Sequence, residues 1–182
     1  MSITMKINTL RTIIREFTLA DASSVLALNG DPIVTQYTAD NSPILTLNDA
    51  QTVISNIWLH EYALYGYGRW AVLDNTTHKV IGFCGLKYIP EVGLPDIGYR
   101  FLPQYWGNGY ATESALACTA YCKSELGVSQ FFGDVIADNK ASIRVLQKLG
   151  LKFSGYVKTD SITFQRYLLS TPTLQNTIQF YK

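Results

Sequence analysis

The sequence is poor in cysteine, histidine and charge, and each shortage closes a class of function. Three cysteines, Cys84, Cys118 and Cys122, are an odd number and too few for a fully paired disulfide framework. A reducing compartment fits. Cys118 and Cys122 share a face if their segment is helical, but the two histidines, His60 and His78, stand far off in sequence, so the thiols read as buried and structural and no metal is expected. Lys and Arg total 15 against 14 Asp and Glu, and a formal charge of +1 gives no broad field for nucleic acid. There is no run of about 18 apolar residues to cross a membrane. The start, Met1 to Lys6, lacks the basic-then-apolar pattern of a secretory signal, so a cytoplasmic protein is expected.

What is present is apolar material: 47% of the 182 residues are hydrophobic and 16% charged, which excludes a disordered chain. The length suits one domain, expected over residues 10–169 with a tail at 170–182. Leu10 to Phe17 reads as a strand, and Thr18-Leu19-Ala20-Asp21 offers a helix cap before a short helix through Val25 and Leu28 that Asp31-Pro32 breaks. Thr46-Leu47-Asn48-Asp49 repeats the cap, and Val53, Ile54, Ile57, Trp58, Glu61 and Leu64 mark one apolar helix face. The period then changes to two: Arg69 to Leu73, Val80 to Tyr88 and Ile97 to Leu102 read as an antiparallel meander. A helix from Thr112 to Leu126, a strand from Phe131 to Ala137, a helix from Lys140 to Leu149 and strands near Leu151 to Val157 and Ile162 to Leu169 follow. A strand, helix, strand unit over 96–137 implies a parallel pair inside a mixed sheet.

The chemistry concentrates in Gln104-Tyr105-Trp106-Gly107-Asn108-Gly109-Tyr110-Ala111-Thr112-Glu113, between a strand and a helix. Two glycines one residue apart let the backbone turn tightly, and N–H donors ending at a helix N-terminus suit an anionic, phosphate-bearing ligand. Such turns serve dinucleotides, nucleoside triphosphates and coenzyme A alike. A triphosphate loop needs Gly-Lys-Ser or Gly-Lys-Thr, and neither glycine precedes a lysine. A dinucleotide fingerprint needs a third small residue where Thr112 stands; Asp134 falls near the place of its acid, but the preceding meander is wrong for a parallel sheet.

Gln104-x-x-Gly107-x-Gly109-Tyr110-Ala111 resembles the acetyl-coenzyme-A loop of the GNAT N-acetyltransferases. The longer string from Asp96-Ile97-Gly98-Tyr99 to Thr112-Glu113, with Asn139-Lys140-Ala141-Ser142 through Lys148-Leu149-Gly150-Leu151, is similar to their RimJ/RimL-like branch, with Leu151 in place of Phe. The resemblance implies an α/β (α+β) fold: a mixed, mostly antiparallel sheet of about six to seven strands with a central splayed parallel pair, flanked by about four helices. It implies direct acetyl transfer from acetyl-CoA to a primary amine of a peptide N-terminus or small molecule, by a monomer or homodimer. Phe101 and Leu102 would meet the pantetheine arm. N–H groups from Trp106, Gly107, Asn108, Gly109, Tyr110 and Ala111 would cradle the pyrophosphate, with Asn139 and Ser142 also on the cofactor.

An amine nucleophile is mostly protonated near neutral pH and needs a base. Asp96, at a strand start, leads the candidates, with Asp134 and Glu113 behind it. Many relatives place a thiolate-protonating tyrosine where this chain has Leu146, and Ser142 is the hydroxyl that could serve instead; Asn139 also reads as a helix cap. Tyr37, Tyr65, Tyr67, Trp70 and Tyr88 are candidate acceptor-pocket aromatics, and residues 31–45 and 158–161 the expected acceptor-shaping segments. A non-catalytic acetyl-CoA sensor or interaction module is the competing expectation.

Overall fold

The computed structural model describes residues 5–38, 44–159 and 162–169; the tail expected at 170–182 and parts of both acceptor-shaping segments lie outside these. The chain begins with a hairpin, β1 (Lys6–Asn8) and β2 (Thr12–Arg15), where one strand over Leu10 to Phe17 was expected. Leu10 is 85% exposed at the turn. The Thr9 hydroxyl accepts from the Thr12 amide at 2.9 Å and so fixes that turn, a local bond that competes with ladder pairing. Then come α1 (Ala22–Gly30), the single turn α2 (Pro32–Thr35), α3 (Leu47–Val53) and α4 (Leu59–Tyr65). The meander is β3 (Arg69–Asp74), β4 (Val80–Ile89) and β5 (Leu94–Phe101). After it follow α5 (Tyr110–Leu126), β6 (Phe132–Ile136), α6 (Lys140–Lys148), β7 (Leu151–Lys158) and β8 (Thr163–Leu169).

The described strands form one eight-stranded sheet in the order β1-β2-β3-β4-β5-β6-β8-β7, one strand more than expected because of the added hairpin arm. Every pairing is antiparallel except β5 with β6. These two share a single ladder pair, Asp96 opposite Phe132, and then diverge. A fork results. Ile97 and Leu146 meet at its base over Gly133, where a Cβ would stand 2.6 Å from the leucine and 3.4 Å from the isoleucine.

Side chains alternate across the strands and sort the helices onto two faces. Phe83 turns to one face, its ring centroid 5.9 Å from Trp58, which stacks on Phe17 at 4.4 Å. On the other, Trp70 meets Tyr121 of α5 edge-on at 5.8 Å, and α5 also buries Ala115, Cys118 and Cys122. The three cysteines are free and buried, and burial pushes the Cys122 thiol up to about 12. They are core thiols.

Of the two capping signals Thr46 closes in full, whereas the Thr18 hydroxyl donates to Asp21 Oδ2 at 3.0 Å instead of accepting from the helix. Thr46 Oγ1 accepts from the Asp49 amide at 3.1 Å while Asp49 accepts from the Thr46 amide at 2.9 Å, a reciprocal cap contributing about 1 kcal/mol. The expected helix face beyond it does not hold throughout. Residues Ile54–Trp58 form a π-helical stretch between α3 and α4, and its wider turn rotates the following residues. Ile54, Trp58, Glu61 and Tyr62 are therefore buried, while Ile57 and Leu64 face outward.

Candidate active site

The fork opens into a cleft of about 940 Å³. At one end β5 runs out at Phe101, a 3₁₀ turn spans Pro103–Tyr105, and the glycine loop leads into α5. Gly107 and Gly109 have φ of 74° and 84°, in the region that disfavours side chains. Gly109 is the helix N-cap and offers no side-chain acceptor, so the Tyr110, Ala111 and Thr112 amides, which have no intrahelical partner, stand at the cleft these residues line. Thr112 was not among the expected binding residues. Space beyond the loop is open: a Cβ at Gly107 would meet nothing within 4 Å. These donors at a helix start fit a pyrophosphate.

Not every expected loop residue faces the cleft. The Trp106 amide donates to Pro103 O at 3.0 Å and its indole N–H to Phe101 O at 2.7 Å, so both close the turn on itself. Its side chain still lines the cleft. The Leu102 amide donates to Ile81 O at 3.1 Å, and neither Leu102 nor Asn108 is a lining residue. Asn108 O accepts from Arg11, whose guanidinium also sits 4.4 Å over the Tyr110 ring. Glu113 accepts from Arg11 Nε at 2.8 Å and Thr9 Oγ1 at 2.7 Å, which ties it to the hairpin behind the loop and removes it from the base candidates. Burial would raise its pKa, but the bonds from Thr9 and Arg11 outweigh burial and hold it below the usual range.

At the fork itself stands Asp96. Arg69 Nη2 donates to Asp96 Oδ2 at 2.6 Å, and Arg69 Nη1 donates to Asp96 O at 2.9 Å and to Gly85 O. Gly85 and Gly98 pair in register across β4 and β5, and Arg69 lies in the trough between them. A Cβ on Gly98 would overlap the guanidinium. On β6, Asp134 accepts from Arg166 Nε at 2.8 Å and Nη2 at 2.6 Å, a bidentate pair. Both carboxylates are more exposed than the arginines that hold them, at 20% and 23% against 13% and 10%, and both line the cleft. Burial pushes Asp96 above the usual carboxylate range, against the pull of Arg69 and with the push of nearby Asp134.

A family model described as "Acetyltransferase (GNAT) domain" matches residues 11–152. The chain belongs to the GNAT acetyltransferase family. It is 30% identical over 81% of its length to the uncharacterized N-acetyltransferase YoaA of Bacillus subtilis, of which 83% is covered. It is 36% identical over 52% of its length to the uncharacterized protein YkkB of the same organism, and spans just over half (56%) of that protein. Among solved structures, Mycobacterium smegmatis RimJ in complex with CoA-disulfide superposes with a TM-score of 0.78 over 92% of this chain and 88% of that one, at 14% identity, a likeness of fold.

On the GNAT cleft's helical wall, Asn139 Oδ1 accepts from the Ser142 amide at 3.0 Å, so Asn139 caps α6 while lining the cleft. Ser142 also lines it. Leu146 does not: it is 2% exposed, packed on Gly133. Of the expected pocket aromatics only Tyr37 lines the cleft; Trp70 is core, and Tyr65 packs on Tyr67 and Tyr88 with centroids 5.9 and 5.1 Å away. Trp58, Phe83, Arg100 and Asn29, from elements other than α6, line the cleft where those aromatics were expected, with Arg100 donating to Asn29 Oδ1. Only their convergence in space marks them.

Proposed function

We propose that this GNAT protein is an acetyl-CoA-dependent N-acetyltransferase that transfers acetyl directly to a primary amine of a peptide N-terminus or small molecule. The observation that carries the reading is one continuous cleft with anion-binding amides of α5 at one end and the paired carboxylates Asp96 and Asp134 at the fork. The N-acetyltransferase name of a relative supports it, as does the coenzyme bound in the fold neighbour.

Acetyl-CoA supplies the activated acetyl group. The left-handed turn at Gly107 and Gly109 exposes the amides of α5 to its pyrophosphate, and Arg144 and Lys148, exposed cations lining the cleft, add local positive charge. In this reading Asp96 takes the amine proton: it lines the cleft, and burial raises its pKa, which favours proton uptake. Arg69 holds it in place. Holding two substrates in one cleft supplies much of the acceleration.

The test is thiol release from acetyl-CoA with a panel of amines and N-terminal peptides, beside calorimetric binding of CoA. Acceptor-dependent release is expected. Binding with no release across the panel would instead make the protein an acetyl-CoA sensor.

A further inference from the structure

Ser142 has a partner that its helix does not supply. Tyr99, on β5, crosses the cleft wall to α6, with its phenolic oxygen 2.8 Å from Ser142 Oγ and 3.0 Å from Ser142 O. Both residues line the cleft. Among the described residues Tyr99 is the only hydrogen-bond partner of Ser142 Oγ. Leu146, one turn further along α6, is buried against Gly133, so that turn offers the cleft no hydroxyl.

A serine hydroxyl accepts and donates at once, whereas a phenol has one proton to give. Ser142 O can only accept, so the one phenolic proton goes either to that carbonyl at 3.0 Å, with Ser142 Oγ then donating to Tyr99, or to Oγ at 2.8 Å. An acceptor arriving in the cleft that takes the serine proton selects the second arrangement, with Tyr99 donating to Oγ. We propose that Tyr99 is a positioning residue of the transfer: it holds and polarises Ser142 so that the serine O–H donates to the sulfur of the departing coenzyme thiolate. The inference rests on the acetyltransferase reading above.

In the transfer the amine nitrogen bonds to the acetyl carbon, the carbon–sulfur bond breaks with its electron pair passing to sulfur, and the nitrogen proton passes to Asp96. Ser142 and Tyr99 keep their protons. They lower the cost of the sulfur charge through a chain of two donors, in which each bond strengthens the next; solvent protonates the released thiolate. Burial raises the Tyr99 pKa, which keeps the phenol protonated as a donor.

The experiment compares calorimetric affinity for CoA and for desulfo-CoA, which lacks the sulfur, at about pH 9.5, above the ordinary thiol pKa of about 8.5. Wild type is expected to prefer CoA by about tenfold, the size of one hydrogen bond to a charged acceptor. Ser142→Ala should abolish the preference. Tyr99→Phe should reduce it at least threefold, by order of magnitude, with desulfo-CoA affinity unchanged, and the double variant should match Ser142→Ala. With an acceptor in hand, Tyr99→Phe should also lower kcat about tenfold at unchanged KM for acetyl-CoA. Equal binding of both ligands by wild type, or an intact preference in Tyr99→Phe, overturns the donor chain and leaves the transferase reading standing. Failure of wild type to bind either ligand overturns both.

Discussion

Asp96 and Glu113 are both carboxylates beside an arginine, yet their surroundings send them to different work. Asp96 faces the cleft with burial raising its pKa, so its capacity to accept a proton is lost as pH falls through that raised value. The acid limb of kcat/KM should therefore lie above the ordinary carboxylate range near pH 4. Asp96→Asn should remove that limb and lower kcat/KM about 100-fold or more; a limb that survives would move the base elsewhere. Glu113 is held below its ordinary pKa by Thr9 and Arg11. Its stabilisation is present above about pH 4.3, its unfolded value, and is lost as pH falls through the depressed folded pKa. Glu113→Gln should destabilise the fold by about 1–2 kcal/mol at pH 7, with the difference shrinking toward pH 3 in denaturant unfolding. Sequence spacing could nominate both acids, but only their partners separate them.

At the level of elements, the glycine loop and the trough under Arg69 are the places where a small residue is needed. Gly109 caps α5 at φ 84°, so Gly109→Val should cost about 1–2 kcal/mol of stability and remove acetyl-CoA binding. Wild-type affinity in the folded variant would contradict the loop assignment. Gly98→Ala should displace Arg69 and lower kcat more than it changes acetyl-CoA affinity, because Arg69 bonds Asp96 and Gly85 and none of the α5 amides. The helix cap at Thr46 was legible because capping is a contact within four residues. The π-helical stretch was not, since a 3.6-residue period presumes an unbroken ladder and Ile54–Trp58 interrupts it. The hairpin arm β1 escaped because three residues carry too little pattern to read.

For the whole molecule, a charge of +1 supplies no general field, so the proposed coenzyme binding has to come from local donors. At 100 times its dissociation constant CoA should stabilise the protein by about 2.7 kcal/mol, a rise in Tm of roughly 5–11 °C for a chain of this size. No thermal shift at any concentration would refute the cofactor reading. Among the described residues no helix is long and apolar enough to cross a membrane. By itself the sequence determined the order of strands and helices from Arg69 onward, the glycine loop and the family, because periodicity, caps and motif spacing act between near neighbours. Tertiary structure alone decided that Arg69 crosses two glycines to reach Asp96, that Leu146 fills the base of the fork, and that Tyr99 meets Ser142 43 residues away. Those contacts exist only where β5 and β6 part, and no local signal in the chain records that separation.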